Sequence, residues 1–153
     1  MDSQLIEKSI RELITKTPHL SLATVSEGRP WVCEVHFAYD DELNLYFVSK
    51  LTTRHCQEIT SNPHVAGNII KQHPLTEAPN GLYFEGMAEE IIPSEADIAR
   101  YCTALGRDII QLKEQLLEPN GRRMFRIKVS NWAVFGNIDG SGHVKHELNW
   151  GEQ

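Results

Sequence analysis

A β-dominated antiparallel barrel with helices at its openings is the fold the sequence predicts, and three observations predict it. Apolar residues alternate at strand spacing through several short runs. Clusters of glycine, proline and acidic residues separate those runs. Helical spacing is confined to an opening segment, a short stretch around residue 57 and a longer one around residue 105. The 153 residues make one domain, with a helix over 3–16, a barrel over about 18–136 and a tail over 137–153. A chain of this size buries roughly 70% of its unfolded surface, enough for a real core.

In the opening helix Ile6, Ile10, Leu13 and Ile14 recur at helical spacing, Asp2 or Ser3 supplies the N-cap, and Pro18 stops it. Its polar face mixes Glu7, Lys8, Arg11, Glu12 and Lys16, so it reads as a lid on a sheet and not as a basic membrane-surface helix. Strand spacing follows in His19 to Val25, and the turn Glu27 to Pro30 leads into Trp31 to Tyr39. There Trp31, Cys33, Val35, Phe37 and Tyr39 take one face, while Glu34 and His36 take the other. After the acidic turn Asp40 to Glu42 comes Leu43 to Ser49, completing a meander.

Thr52 to Asn62 reads as a short helix with Thr52 or Thr53 at its N-cap and Pro63 at its end. Strands are expected over His64 to Ile70 and Gly81 to Ile92, and Gly86 marks a bulge or a close backbone approach. Pro93 and Ser94 open a helical region reaching about Leu117, with a Ser94–Asp97 capping box and a break at Gly106. Arg122 to Val129 and Ser130 to Gly136 read as two further strands, and Trp150 in the tail as a contact to a partner subunit.

Composition excludes several function classes. A formal charge of −6 and no basic stripe interleaved with aromatics argue against nucleic acid and against an anionic membrane as partners. Cys33, Cys56 and Cys102 are far apart in sequence with no CxxC, so they read as packing thiols in a reduced compartment, most simply the cytoplasm. The N-terminal residues do not read as a signal peptide or a spanning segment. Seven histidines are scattered, and no cysteine or carboxylate constellation completes a metal site around them.

The stretch Val48 to Ile69 carries the chemistry. Ser49, Thr52, Thr53, Arg54 and His55 gather where a strand passes into a helix N-terminus, a place where exposed N–H groups favour an anion. A capped helix with Arg54 and His55 in water accounts for the same composition. Glu34 and His36, two apart on one strand face, either line a pocket or sit on its solvated side. No activating base is apparent for Cys33 or Cys56.

The order of these parts, from the strand and Glu27–Pro30 turn through LYFVSK, TRH and NPHVAG, resembles the pyridoxamine 5'-phosphate oxidase-like, FMN-binding split-barrel superfamily, in particular its small bacterial members. The resemblance runs over about Pro18 to Gly136, more weakly in its second half. It implies a split β-barrel and a homodimer with FMN at the seam, the flavin performing redox chemistry on an unknown small substrate. The phosphate would lie with Ser49, Thr53, Arg54 and His55, and the ring against the backbone of Val32, Cys33, Glu34 and Val48. Trp132 and Phe135 of the partner subunit would add aromatic contacts. Related barrels bind the deazaflavin F420 or haem instead, and a cofactor-free structural dimer is the remaining alternative. The C-terminal residues lack the arginine pattern of the dedicated oxidases, so vitamin B6 oxidation is not the expected activity. No catalytic side chain is assigned.

Overall fold

The structure, a computed structural model, describes residues 2–140 and 142–151. It opens with α1 (Ser3–Leu13), capped by the Asp2 carboxylate, which accepts from Gln4 N at 3.1 Å. The helix ends earlier than residue 16 because Thr15 Oγ1 and Lys16 N turn back to the carbonyls of Glu12 and Leu13. Then come β1 (His19–Ser26), β2 (Arg29–His36), the two-residue β3 (Ala38–Tyr39), β4 (Leu45–Lys50) and α2 (Arg54–Ser61). The second half holds β5 (His64–Ile70), β6 (Gly81–Ile91), α3 (Glu95–Leu105), α4 (Ile109–Leu117), β7 (Arg122–Gly136) and β8 (Val144–Asn149).

The strands form one antiparallel sheet in the order β2-β1-β5-β6-β7-β4-β3, with β8 added beside β7. The sheet curls until β2 returns against β4, so its two ends face each other without a ladder between them. This is the split in the barrel, and it leaves one edge of the β2 backbone free of strand partners. The long strand β7 holds the sheet together. One edge pairs with β6 along Met124–Phe135, and the other pairs with β4 through Arg122–Ile127 and then with β8 through Asn131–Gly136.

Two strands were expected where β7 runs unbroken. Ser130 and Asn131 look like a polar interruption in sequence, but the ladder absorbs them in a register shift opposite Glu85/Gly86. Gly86 is required there, because a Cβ at that position would stand 2.3 Å from the Lys128 carbonyl oxygen. The predicted break at Gly106 is also found: it takes φ 64° as the left-handed C-cap of α3, after which the chain restarts as α4. Both bonds of the Ser94–Asp97 capping box are present.

The interior of the curl is filled by Leu22, Phe47, Phe125, Trp132 and Val134, none with any exposed side-chain area beyond 1%. Ile6, Ile10 and Ile14 of α1 close one opening against β6, β7 and β8. A second cluster of Ile98, Tyr101, Cys102, Leu112, Tyr46 and Met124 seats α3 and α4 on the outside of β4 and β7. In the tail, Trp150 packs on its own chain: Nε1 donates to the Glu42 carbonyl at 2.8 Å and Arg11 stands 5.9 Å above its ring. These contacts pin the end of β8 to α1 and the β3–β4 turn.

Candidate functional site

The polar residues expected around a phosphate meet at the start of α2. Thr53 is the N-cap residue, yet its hydroxyl makes no capping bond and donates instead to the Lys50 carbonyl at 2.8 Å. The first N–H groups of a helix have no partner within it. In α2 no side chain caps them, and no acidic residue stands in the first turn. The His55 Nε2 lies 2.9 Å from Ser49 Oγ and 3.5 Å from Thr53 Oγ1, tying the end of β4 to the helix. His55 is buried, and burial pushes its pKa below the usual value, so the ring is neutral near pH 7.

Arg54 is held from two sides. Its Nε donates to Glu58 Oε1 at 3.1 Å, and its guanidinium lies 4.1 Å from the centre of the Trp31 ring on β2. Glu58 is buried, and its other oxygen accepts from Thr24 Oγ1 at 3.0 Å. A guanidinium has five N–H donors, so with Nε engaged the two Nη groups remain for an anion. A hollow of about 280 Å3 opens beside Arg54 and Glu58, with Ser26, Arg29 and Gln57 on its walls. That falls just below the range of about 300–1,000 Å3 for small-molecule sites. The donors present, namely the Ser49 hydroxyl, an uncapped helix N-terminus and a half-exposed guanidinium, fit a phosphate group, while the Thr53 O–H is committed to the Lys50 carbonyl.

The residues expected under a flavin ring fall along the split. Val32 and Glu34 are exposed on β2, while Cys33 between them is half-buried and turns inward. Glu34 accepts a hydrogen bond from Ser21. Val48 packs its side chain on the α3–α4 cluster, so only its backbone faces the split. Three residues of β strand separate Trp31 from Glu34, about 10 Å. A ligand anchored at Arg54 would therefore reach Glu34 along the free edge of β2. The Cys33 thiol is pushed up to about 11, by burial first and then by Cys56 and Glu34, and the Cys56 thiol is raised by burial, so both stay protonated at neutral pH.

Trp132 requires a correction. Its side chain has no exposed area and tilts against Phe84 inside the barrel, so it offers nothing to a cofactor held at a seam. Inward alternation along β7 places it there, in register with Leu148 of β8. Phe135 is likewise buried, stacked on Tyr83. Trp31, Glu58 and Thr24 are the residues that sequence reasoning missed. The i, i+4 spacing of Arg54 and Glu58 was a readable signal, whereas the approach of Trp31 depends on the curl of the sheet.

The family model for pyridoxamine 5'-phosphate oxidase matches residues 6–135. The chain belongs to that family. A UPF0306 protein of Pasteurella multocida, PM1958, is 24% identical over 96 residues, which is 62% of this chain and 64% of the relative's length. Two solved structures share the family fold. The heme binding protein from Mycobacterium smegmatis superposes with a TM-score of 0.75 at 16% identity, over 97% of this chain and 59% of that one. A FAD-binding protein from Mesorhizobium loti gives 0.67 at 18% identity, over 84% of this chain and 90% of that one. The match thus spans less than two thirds of the Pasteurella and Mycobacterium proteins. Among the described residues no helix is long and apolar enough to cross a membrane.

Proposed function

We propose that this protein binds FMN, with the phosphate at the start of α2 and the ring along the free edge of β2, and that it acts as an oxidoreductase on a small molecule, reduced by NADH or NADPH. The observation that carries the reading is the uncapped N-terminus of α2, ringed by Ser49, Thr53, His55 and an Arg54 poised over Trp31. Bound flavin would supply the hydride and one-electron chemistry. The chain's own groups bind and orient: the Ser49 hydroxyl and the helix N–H groups fix the phosphate, Arg54 neutralises it, and the β2 and β4 backbones meet the ring. The protonated thiols of Cys33 and Cys56 leave nucleophilic catalysis without an agent at this site.

The hollow at Arg54 is too small for a whole flavin, and Trp31 and Val32 on β2 are 42% and 60% exposed. A second copy of the chain covering that edge would complete the site, so a homodimer belongs to the proposal. The free cysteines, with thiols held protonated by burial, suit the cytoplasm. The named heme-binding neighbour favours a second reading, in which the same barrel holds haem without turnover.

An absorption spectrum of the protein as purified, and again after incubation with FMN and desalting, separates the two. Flavin bands in the 350–450 nm region, roughly one per chain, are the expected result, and NADH should then bleach them. A Soret band after haem addition with no retained flavin would replace the first reading by the second.

A further inference from the structure

The far end of the β1–β2 ladder carries a second ligand-binding geometry. His19 opens β1 and His36 closes β2, and the two are directly opposite in the ladder. Their Nε2 atoms lie 2.7 Å apart, with ring centroids 4.3 Å apart and planes inclined at 36°. At that distance one ring donates and the other accepts, so the pair holds a single proton between two imidazoles. Both side chains are exposed, and His19 borders an open hollow of about 960 Å3 on the outer face of β1, β2 and β5. Glu34, two residues before His36 and on the same face, also lines it.

Imidazole nitrogens about 2.0 Å from a metal and cis to one another in a square plane are about 2.8–2.9 Å apart, whereas a tetrahedral pair needs about 3.3 Å. The pair therefore matches the square-planar spacing to within about 0.2 Å. Turning each exposed ring to aim its lone pair at a common point is all that is further required. We infer that His19 and His36 form a two-nitrogen chelate for a divalent transition metal of square-planar preference, Cu2+ above Ni2+, which takes the place of the shared proton as that proton moves to Nδ1 of its own ring and both imidazoles stay neutral. Water fills the remaining positions.

The surroundings set the strength. Facing the pair are Lys16 and Lys71 at the rim of the hollow, Arg107 from the α3–α4 link, and Glu34 as the opposing charge. The cationic surplus holds the site to moderate affinity. Among the described residues no group of three or more histidine, cysteine or carboxylate side chains converges on one point, so the two nitrogens are the core of the site.

The test is calorimetric titration of the full chain with Cu2+ in a non-coordinating buffer at pH 7.5, with electron paramagnetic resonance of the loaded protein. One equivalent per chain, with superhyperfine splitting from two nitrogens, is the expected result. His19→Ala and His36→Ala should each weaken binding by at least about tenfold, while a variant carrying both His143→Ala and His146→Ala should bind as the parent does. Circular dichroism melts show whether the His19 and His36 variants stay folded, as two exposed positions should. Copper bound unchanged by the His19→Ala/His36→Ala double variant, a one-nitrogen spectrum, or no uptake by the parent would overturn the assignment.

Discussion

Trp132 and Trp31 are the same residue type in the same sheet, yet one is fully enclosed and the other 42% exposed. Trp132 stands on β7, which has ladder partners on both edges, and it is sealed by Phe84 and the strand β8. Trp31 stands on β2, the terminal strand of the curled sheet, and its one notable partner is a guanidinium. The inner region is fixed by apolar contacts that tolerate no gap. The edge region is held by a few polar contacts that leave donors unused. Stability thus resides in one set of strands and the proposed ligand contacts in another, and substitutions in the two regions should separate them.

Trp132→Ala should produce the largest effect, a loss of about 3–5 kcal/mol in unfolding free energy, because the cavity lies where the barrel cannot collapse. Chemical denaturation checks it, and the folded fraction should bind FMN as before. Arg54→Ala should strike binding as well as stability. Loss of charge-assisted bonds worth about 1.5–3 kcal/mol weakens FMN binding about 10–100-fold, whereas the loss in stability, from a buried Glu58 that keeps only its bond from Thr24, is about 1–3 kcal/mol. Trp31→Ala removes the surface under Arg54, and a cation–π contact of about 0.5–1 kcal/mol predicts a two- to fivefold weaker FMN titration.

The smallest effect concerns pH. His55 is buried with its pKa depressed by burial, so the unfolded chain binds a proton that the folded chain resists. Its contribution to stability is complete above the unfolded value of 6.5 and declines as pH falls from there through the folded pKa. Melting temperatures should therefore drop on acidification below pH 6.5, and His55→Gln should flatten that part of the profile.

The difference between the two tryptophans also explains what could be read from the sequence. Local signals carried far: the Asp2 cap, the Ser94–Asp97 box, the Gly106 break and the Gly86 bulge each depend on a few adjacent residues, and each is present. Alternation along residues 31–39 was legible too, since Cys33, Val35, Phe37 and Tyr39 all pack on the main core. Trp31 shares that alternation but escapes burial, because the sheet ends at β2 and no neighbouring strand covers it. Period says which face a residue takes, not whether anything lies over that face. The same gap hid the unbroken course of β7, the pairing of β8 and the anchoring of Trp150, all of which depend on partners distant in sequence. At the site, Ser49, Thr53, Arg54 and His55 were legible because one strand-to-helix passage carries them. Glu58 and Trp31 complete the arrangement from further away.

The central claim is that the start of α2 holds a phosphate through Arg54, and riboflavin, which is FMN without its phosphate, tests it most directly. Fluorescence titrations of both flavins into the parent and into Arg54→Ala form a closed cycle. FMN should bind the parent at least about tenfold more tightly than riboflavin, and the gap should shrink towards unity in Arg54→Ala while riboflavin binding stays unchanged. Equal affinity of the parent for FMN and riboflavin, or a gap that survives Arg54→Ala intact, would contradict the account.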